Sequence, residues 1–262
     1  MIELSNIRIP LARLGTTQAS EHAALVRAAA QALRIDEQLV SGLELRRRSI
    51  DARKRDRIAL IFTARVSLDA ATEERLAATE KNIRIVGDTT RSFPTRTAKP
   101  LEERPIVVGA GCAGLFCALI LARAGMEPLL IERGDDAARR TSVIGVHNER
   151  GILDPECNIQ FGAGGAGTFS DGKLATGTKN PAHRFILETF VDAGASPAIL
   201  YDAKPHVGSD VLPLVVDRVV GMIEEAGGEL RFRTRMTDLL LKDNAIRGIR
   251  AECGGREEIL SS

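Results

Sequence analysis

The sequence predicts an α/β protein in two parts, and three observations predict it. Residues 1–86 alternate strand-like and helix-like segments in the order β-α-β-β-α-β. A charge-free strand-turn-helix punctuated by three glycines begins at Pro105. The stretch between them, GDTTRSFPTRTAKPLEER, is polar, holds two prolines and lacks periodicity. The expected boundaries are therefore 1–86 for a first domain, 87–104 for a linker and 105–262 for a second domain.

In the first part, residues 2–9 alternate as a strand does, and 20–34 (SEHAALVRAAAQALR) read as an Ala-rich helix with Ser20 as its N-cap. GLELRRRSID and RIALIFTARVSL flank the polar turn ARKRD, the pattern of an antiparallel hairpin. A helix over 70–81 and the short strand NIRIV complete an order that matches the split-βαβ, or ferredoxin-like, unit.

In the second part the expected elements are a strand at 105–109, a helix at 112–124 ended by Gly125, and a strand at 128–132. A long irregular excursion to about Lys179 follows, then helices near 182–193 and 210–226. In the last helix Leu212, Val215, Val216, Val219, Met222 and Ile223 keep helical spacing before Gly227-Gly228 stops it. ELRFRT reads as a strand, and MTDLLLK and AIRGIRAE as two more joined at Asp243-Asn244, with a turn at Gly254-Gly255. No internal repeat or low-complexity tract is visible.

Composition bounds the function classes. With 44% hydrophobic and 27% charged residues, the 262-residue chain has the balance of a soluble globular protein. Residues 1–100 carry 18 basic against 12 acidic side chains and the rest 18 against 23, the excess lying in Arg46, Arg47, Arg48, Arg53, Lys54, Arg55 and Arg57. Pro105–Ala122 is charge-free over a length near that of a short membrane span, but its early glycines fit a buried strand-turn-helix better than a span. No membrane association is expected. Glu3 and Arg8 interrupt what a signal peptide would need, and a cytoplasmic location is the expectation. Cys112, Cys117, Cys157 and Cys253 lack CxxC spacing, and His147, His183 and His206 have no ligand partner at metal-site spacing, so no metal is expected.

The chemistry lies in PIVVGAGCAGLFCALILARAGMEPLLIERG. Gly109-x-Gly111-x-x-Gly114 follows an apolar strand and opens a helix, and Glu132 closes the next strand. Gly109 permits the tight turn, Gly111 lets a pyrophosphate approach the backbone, and Gly114 lets helix and strand pack closely. The helix N-terminus offers free N–H groups and a positive dipole end to phosphates. Glu132 would accept hydrogen bonds from adenosine ribose hydroxyls and repel the 2′-phosphate of NADP. FAD and NAD share this fingerprint. A second feature chooses between them: CNIQFGAGGAGTFSDGKLATGT, a glycine-rich stretch with polar side chains and one cation that can wrap an extended anionic cofactor. Cys157, at its start, is weighed as a redox group near a flavin and set below a structural role.

VVGAGCAGLFCALILARAG with LLIERG resembles the glutathione-reductase-type FAD fold, and FGAGGAGTFSDGKL is similar to a loop of bacterial uncharacterised FAD-dependent dehydrogenases. In that family a ferredoxin-like domain precedes the flavin domain, and RRSIDARK at 47–54 resembles its hairpin. The resemblance covers nearly the whole chain. It implies that Gly109, Gly111, Gly114 and Glu132 contact the ADP half of FAD, with the adjoining Cys112, Ala113 and Arg133 in the same site. It further implies that Gly165, Ser170 and Lys173 lie along the pyrophosphate, ribityl chain or flavin ring.

The expected function is FAD-dependent oxidoreductase, with substrate and catalytic residues unassigned and NAD(P)H a candidate electron donor. Two alternatives stand beside it: an RNA-associated flavoprotein recruited through the basic front domain, and a non-catalytic fragment. The Rossmann-type domain is also expected to be incomplete. Its strands at 105–109, 128–132 and 229–234 make only one side of such a sheet, and the segments after Met236 read as an antiparallel excursion.

Overall fold

The computed structural model describes residues 1–79, 83–87, 103–174, 176, 178, 180 and 182–262. Most of the expected linker, residues 88–102, lies outside the described residues, as do 80 and 81 at the end of the expected second helix and 82 at the start of the expected strand NIRIV. The chain divides into two compact units, an N-terminal one that also takes in Pro197–Pro205, and one formed by the remainder.

In the N-terminal unit, strand β1 (Ile2–Pro10) is followed by helix α1 (Gln18–Leu33), strands β2 (Gly42–Asp51) and β3 (Ala59–Ser67), helix α2 (Ala70–Thr79) and strand β4 (Arg84–Ile85). The sheet order is β2-β3-β1-β4 with every neighbour antiparallel, which is the split-βαβ arrangement. The core faces of β1 show why its register holds. Ile2 and Leu4 are buried, then Ile7 and Ile9, so the parity shifts by one. A bulge between Leu4 and Ile7 absorbs the shift, and Asn6 takes a positive φ of 61°, a conformation Asn tolerates. These side chains pack with Phe62, Val66, Leu25, Ala29 and Leu33. Truncating the fully buried Phe62 would cost about 3–5 kcal/mol.

Two expectations change here. The N-cap of α1 is Thr17, not Ser20: Thr17 Oγ1 accepts the Ser20 N–H, and Ser20 Oγ accepts the Thr17 N–H in return, a reciprocal capping box. Pro197–Pro205, assigned to the second domain by sequence, packs with the first unit because it covers the edge strand β2. Arg48 N–H donates to Tyr201 O (2.6 Å), and Ala203 N–H donates to Arg48 O (2.9 Å). The Arg48 side chain binds both carboxylate oxygens of Asp202, reaches Glu21, and lies 4.9 Å from the centre of the Tyr201 ring. Other hairpin arginines are also paired: Arg46 with Glu44, Arg53 with Asp51, and Arg57 with Asp56.

In the second unit, strands β5 (Ile106–Val108), β6 (Leu129–Ile131) and β7 (Glu229–Arg231) form a parallel sheet in the order β5-β6-β7. Among the described residues β5 has no second neighbour. Helices α3 (Cys112–Arg123), α4 (Ala137–Arg150), α5 (Ala182–Asp192) and α6 (Leu212–Glu225) accompany it, and α6 packs against both α3 and α4. Strands β8 (Thr234–Lys242), β9 (Ala245–Cys253) and β10 (Arg256–Ser261) make a separate antiparallel sheet.

Helix α4 overturns the expectation of an irregular excursion directly after Glu132. Asp136 caps its start by accepting the Arg139 N–H, and Gly151 ends it with a left-handed φ of 69°. The segment ELRFRT is also not one strand. It breaks before Thr234 at Arg233 (φ 51°), whose guanidinium binds Asp135 and Asp154 and turns the chain from the parallel into the antiparallel sheet. No helix among the described residues is long and apolar enough to cross a membrane.

Candidate functional site: a glycine-lined cleft at the start of helix α3

The chain leaves β5 through Gly109, whose φ of 93° suits glycine, and enters α3 at Gly111. The first amide of the helical ladder is Leu115 N–H to Gly111 O, so the amides of residues 111–114 precede the ladder, at the positive end of the helix. A Cβ on Gly114 would stand 1.8 Å from Gly109 O, so no side chain fits there while the turn holds its shape. On Gly111 a Cβ would meet nothing within 4 Å. Gly111 lines a cleft of about 350 Å³, within the size range of small-molecule sites. Val108, Gly109, Gly111, Ile131, Glu132, Arg133, Phe161, Gly162, Gly165 and Met236 are among its lining residues.

Glu132 is 6% exposed, and its carboxylate is a junction for backbone amides. Oε2 accepts Ala110 N–H (2.8 Å) from the turn. Oε1 accepts Gly134 N–H (2.8 Å) and Gly162 N–H (3.1 Å). One buried negative charge thus ties together the end of β6, the glycine turn and the glycine-rich loop. Arg133 beside it stacks over Phe161, 4.0 Å from the ring centre, and pairs with Glu156 at 2.9 Å.

In the glycine-rich loop after α4 the amides of residues 162–165 are taken up by the chain itself. Gly164 N–H donates to Ala110 O (2.7 Å), laying the loop across the glycine turn. Ala163 N–H is taken by Asp135 O, and Gly165 N–H by Gly162 O. Behind the loop stands Arg140, fully buried and not singled out by sequence. Its guanidinium donates to the carbonyls of Asn158, Ile159, Ala163 and Gly165 at 2.7–2.9 Å, with a longer contact to Gly162 O. Burial pushes its pKa down, opposed by the fields of Cys157 and Glu132.

Of the residues expected in the site, Gly109, Gly111, Glu132, Arg133 and Gly165 line the cleft. Cys112 and Ala113 form the first turn of α3, and Gly114 packs behind it. Ser170 and Lys173 are not among the cleft residues. Ser170 Oγ donates to Gly167 O, and Lys173, 73% exposed, pairs with Asp171 at 2.6 Å. Neither Cys112 nor Cys157 gains activation. Cys112 is exposed as a residue, yet desolvation of its thiol raises the pKa despite the helix N-terminus. Cys157 is buried with its pKa raised by burial, and its Sγ accepts Asp135 N–H.

Residues 107–167, which build the turn, Glu132 and the front of the loop, match the family described as NAD(P)-binding Rossmann-like domain. Residues 1–67 match a second family, Domain of unknown function (DUF8436). A relative from Clostridium beijerinckii, named "Uncharacterized protein", is 37% identical over 219 residues, 83% of this chain and 41% of its own length. This chain therefore spans about two fifths of that relative. A 32-residue stretch is 66% identical to the "Probable electron transfer flavoprotein-quinone oxidoreductase YdiS" of Escherichia coli, covering 12% of this chain and 8% of that protein. Among solved structures, 3-ketosteroid-delta4-(5alpha)-dehydrogenase from Rhodococcus jostii RHA1 aligns at 17% identity and a TM-score of 0.40, covering 64% of this chain and 47% of that one.

Proposed function

We propose that the second unit binds FAD through its ADP half and that the protein is a flavin-dependent oxidoreductase. The observation that carries this is that Gly111, where a Cβ would meet nothing within 4 Å, lines together with Glu132 the cleft at the amino end of α3. A pyrophosphate needs bare backbone and unladdered amides, and that corner supplies both. Glu132 already accepts three amides, and a carboxylate has about four acceptor sites, so one remains, on Oε2, for a ribose hydroxyl.

Ser170 and Lys173, outside the cleft, are assigned in this reading to the ribityl and flavin half. Bound flavin would supply the hydride or electron transfer, and the chain's own residues would hold and orient it. Turnover, an organic substrate and NAD(P)H as electron donor are the part of the proposal that concerns the whole protein. Residues 1–86 form the ferredoxin-like domain and 105–262 the flavin domain, with Pro197–Pro205 attached to the first. The hairpin arginines that pair with carboxylates of their own unit favour a solvated edge over an RNA site.

The test is to purify the chain, release any bound ligand by heat and identify it by chromatography, then titrate the ligand-free protein with FAD. FAD in the released fraction, or saturable binding of added FAD, supports the reading. Release of NAD or NADP with no affinity for FAD would replace flavin by nicotinamide chemistry.

A further inference from the structure

We infer that Arg140 is the positioning residue of this site: its buried guanidinium, rather than a bound ligand, sets the shape of the loop that walls the cleft. The inference deepens the dinucleotide reading above and rests on it for the identity of the ligand.

A residue with 0% exposure and a fixed positive charge is an expensive way to fill space, since a Met or Leu would occupy similar volume without desolvating a cation. All of the hydrogen bonds described for its side chain go to carbonyl oxygens of one short segment, Asn158 to Gly165. The Phe169 ring, centred 4.9 Å from the guanidinium carbon, covers the group. A guanidinium presents five donors in a fixed plane, so it can gather several carbonyls onto one point, which neither Lys nor an apolar side chain can do.

What this achieves follows from the trans peptide, whose C=O and N–H point in opposite directions. The plane that gives Ala163 O to Arg140 carries Gly164 N–H on its other edge, and that N–H reaches Ala110 O in the glycine turn. The plane that directs Gly162 O toward Arg140 carries Ala163 N–H, which reaches Asp135 O. Arg140 thus sets from behind the register in which the loop lies on the Gly109–Gly114 turn. Gly165, whose carbonyl it also holds at 2.7 Å, is thereby kept against Gly111 at the cleft. Gly162 completes the fit: at φ 121° a Cβ there would stand 2.6 Å from Arg140 Cδ.

The experiment uses the full chain and two readouts, hydrogen exchange of the loop amides without ligand and FAD affinity by titration. Arg140→Ala is expected to speed exchange at Gly162–Gly165 at least tenfold while leaving β1 and β3 protected. It should also weaken FAD binding about 10–100-fold, the range for residues that orient a site's contacts from outside. Added ethylguanidinium should restore both, which a general packing defect would not allow. If Arg140→Ala fails to fold, Arg140→Lys carries the test, keeping the charge but not the fork, and the same direction is expected. A folded variant with unchanged loop exchange overturns the inference, as does a loss that ethylguanidinium does not reverse. Wild-type protein whose loop behaves as expected but which binds no FAD would overturn the ligand reading and leave the role of Arg140 standing.

Discussion

In the turn Gly109–Gly114 a Cβ added at Gly111 would meet open space, whereas in the loop Gly162–Gly172 a Cβ at Gly164 would stand 2.0 Å from Thr168 Oγ1, and one at Gly172 would stand 1.7 Å from Val207 O. Both segments look alike in composition. At position 111 glycine leaves open space, while in the second segment it mostly lets the chain approach itself. The loop's amides confirm the contrast, since those of Gly162, Ala163, Gly164 and Gly165 are all taken up internally. Glycine richness alone therefore does not tell open positions from packed ones; what the missing Cβ would meet does.

The largest effect should come where the two uses meet. Gly114→Ala places a methyl against Gly109 O, and a destabilisation of about 3 kcal/mol or more is expected, the upper end for overpacking, together with loss of FAD binding. Denaturant unfolding and FAD titration check it. A variant as stable as wild type would mean that helix and turn can separate freely.

Glu132→Gln comes next, because an amide nitrogen would face backbone N–H donors where a carboxylate oxygen now accepts them. About 1–3 kcal/mol of stability should be lost for the buried donors left without a partner. Unaltered unfolding midpoints would show that the three-way junction is not a structural tie.

Gly111→Val separates function from fold. Stability should change by no more than about 1 kcal/mol, as for an ordinary N-cap exchange, because the added side chain enters open space. FAD affinity should nevertheless fall below detection, and retention of full affinity would move the pyrophosphate away from this turn.

The smallest effect is expected from Lys173→Ala. Its exposed pair with Asp171 leaves the fold indifferent to the change, so circular dichroism and unfolding should match wild type. Affinity for ADP should be untouched, while affinity for FAD drops severalfold if the side chain reaches the flavin half. Equal behaviour toward both ligands would remove Lys173 from the site.

How much of this was legible in the sequence depended on where the signal lay. The glycine turn, α3 and the place of Glu132 after β6 are legible because their spacing is constrained along the chain, whereas the three amides that Glu132 accepts are not. Neither is Arg140. Charged residues are almost never fully buried, and its partners are carbonyl oxygens, which every residue possesses and no sequence displays. Helix α4 is hard to read because its apolar residues Val143, Ile144 and Val146 are few and β-branched, although Asp136 and Gly151 mark its ends. Ser20 reads as the cap of α1 because it begins the alanine run, but its hydroxyl serves instead as the third-position partner of the Thr17 cap.

The pairing of Tyr201–Ala203 with β2 has a consequence for the order of events as the polypeptide is made. Arg48 and Asp202 are 154 positions apart, so at a synthesis rate of about 5–20 residues per second the arginine waits roughly 8–30 s for its partner. During that interval β1 to β4 can assemble, since their pairings are local to the first 85 residues. The outer edge of β2, however, has its N–H and C=O groups at Arg48 open to any passing strand. The nascent N-terminal unit is thus a finished sheet with a temporarily exposed seam, and the charge density of its arginines is what stands guard until the chain itself arrives to cover it.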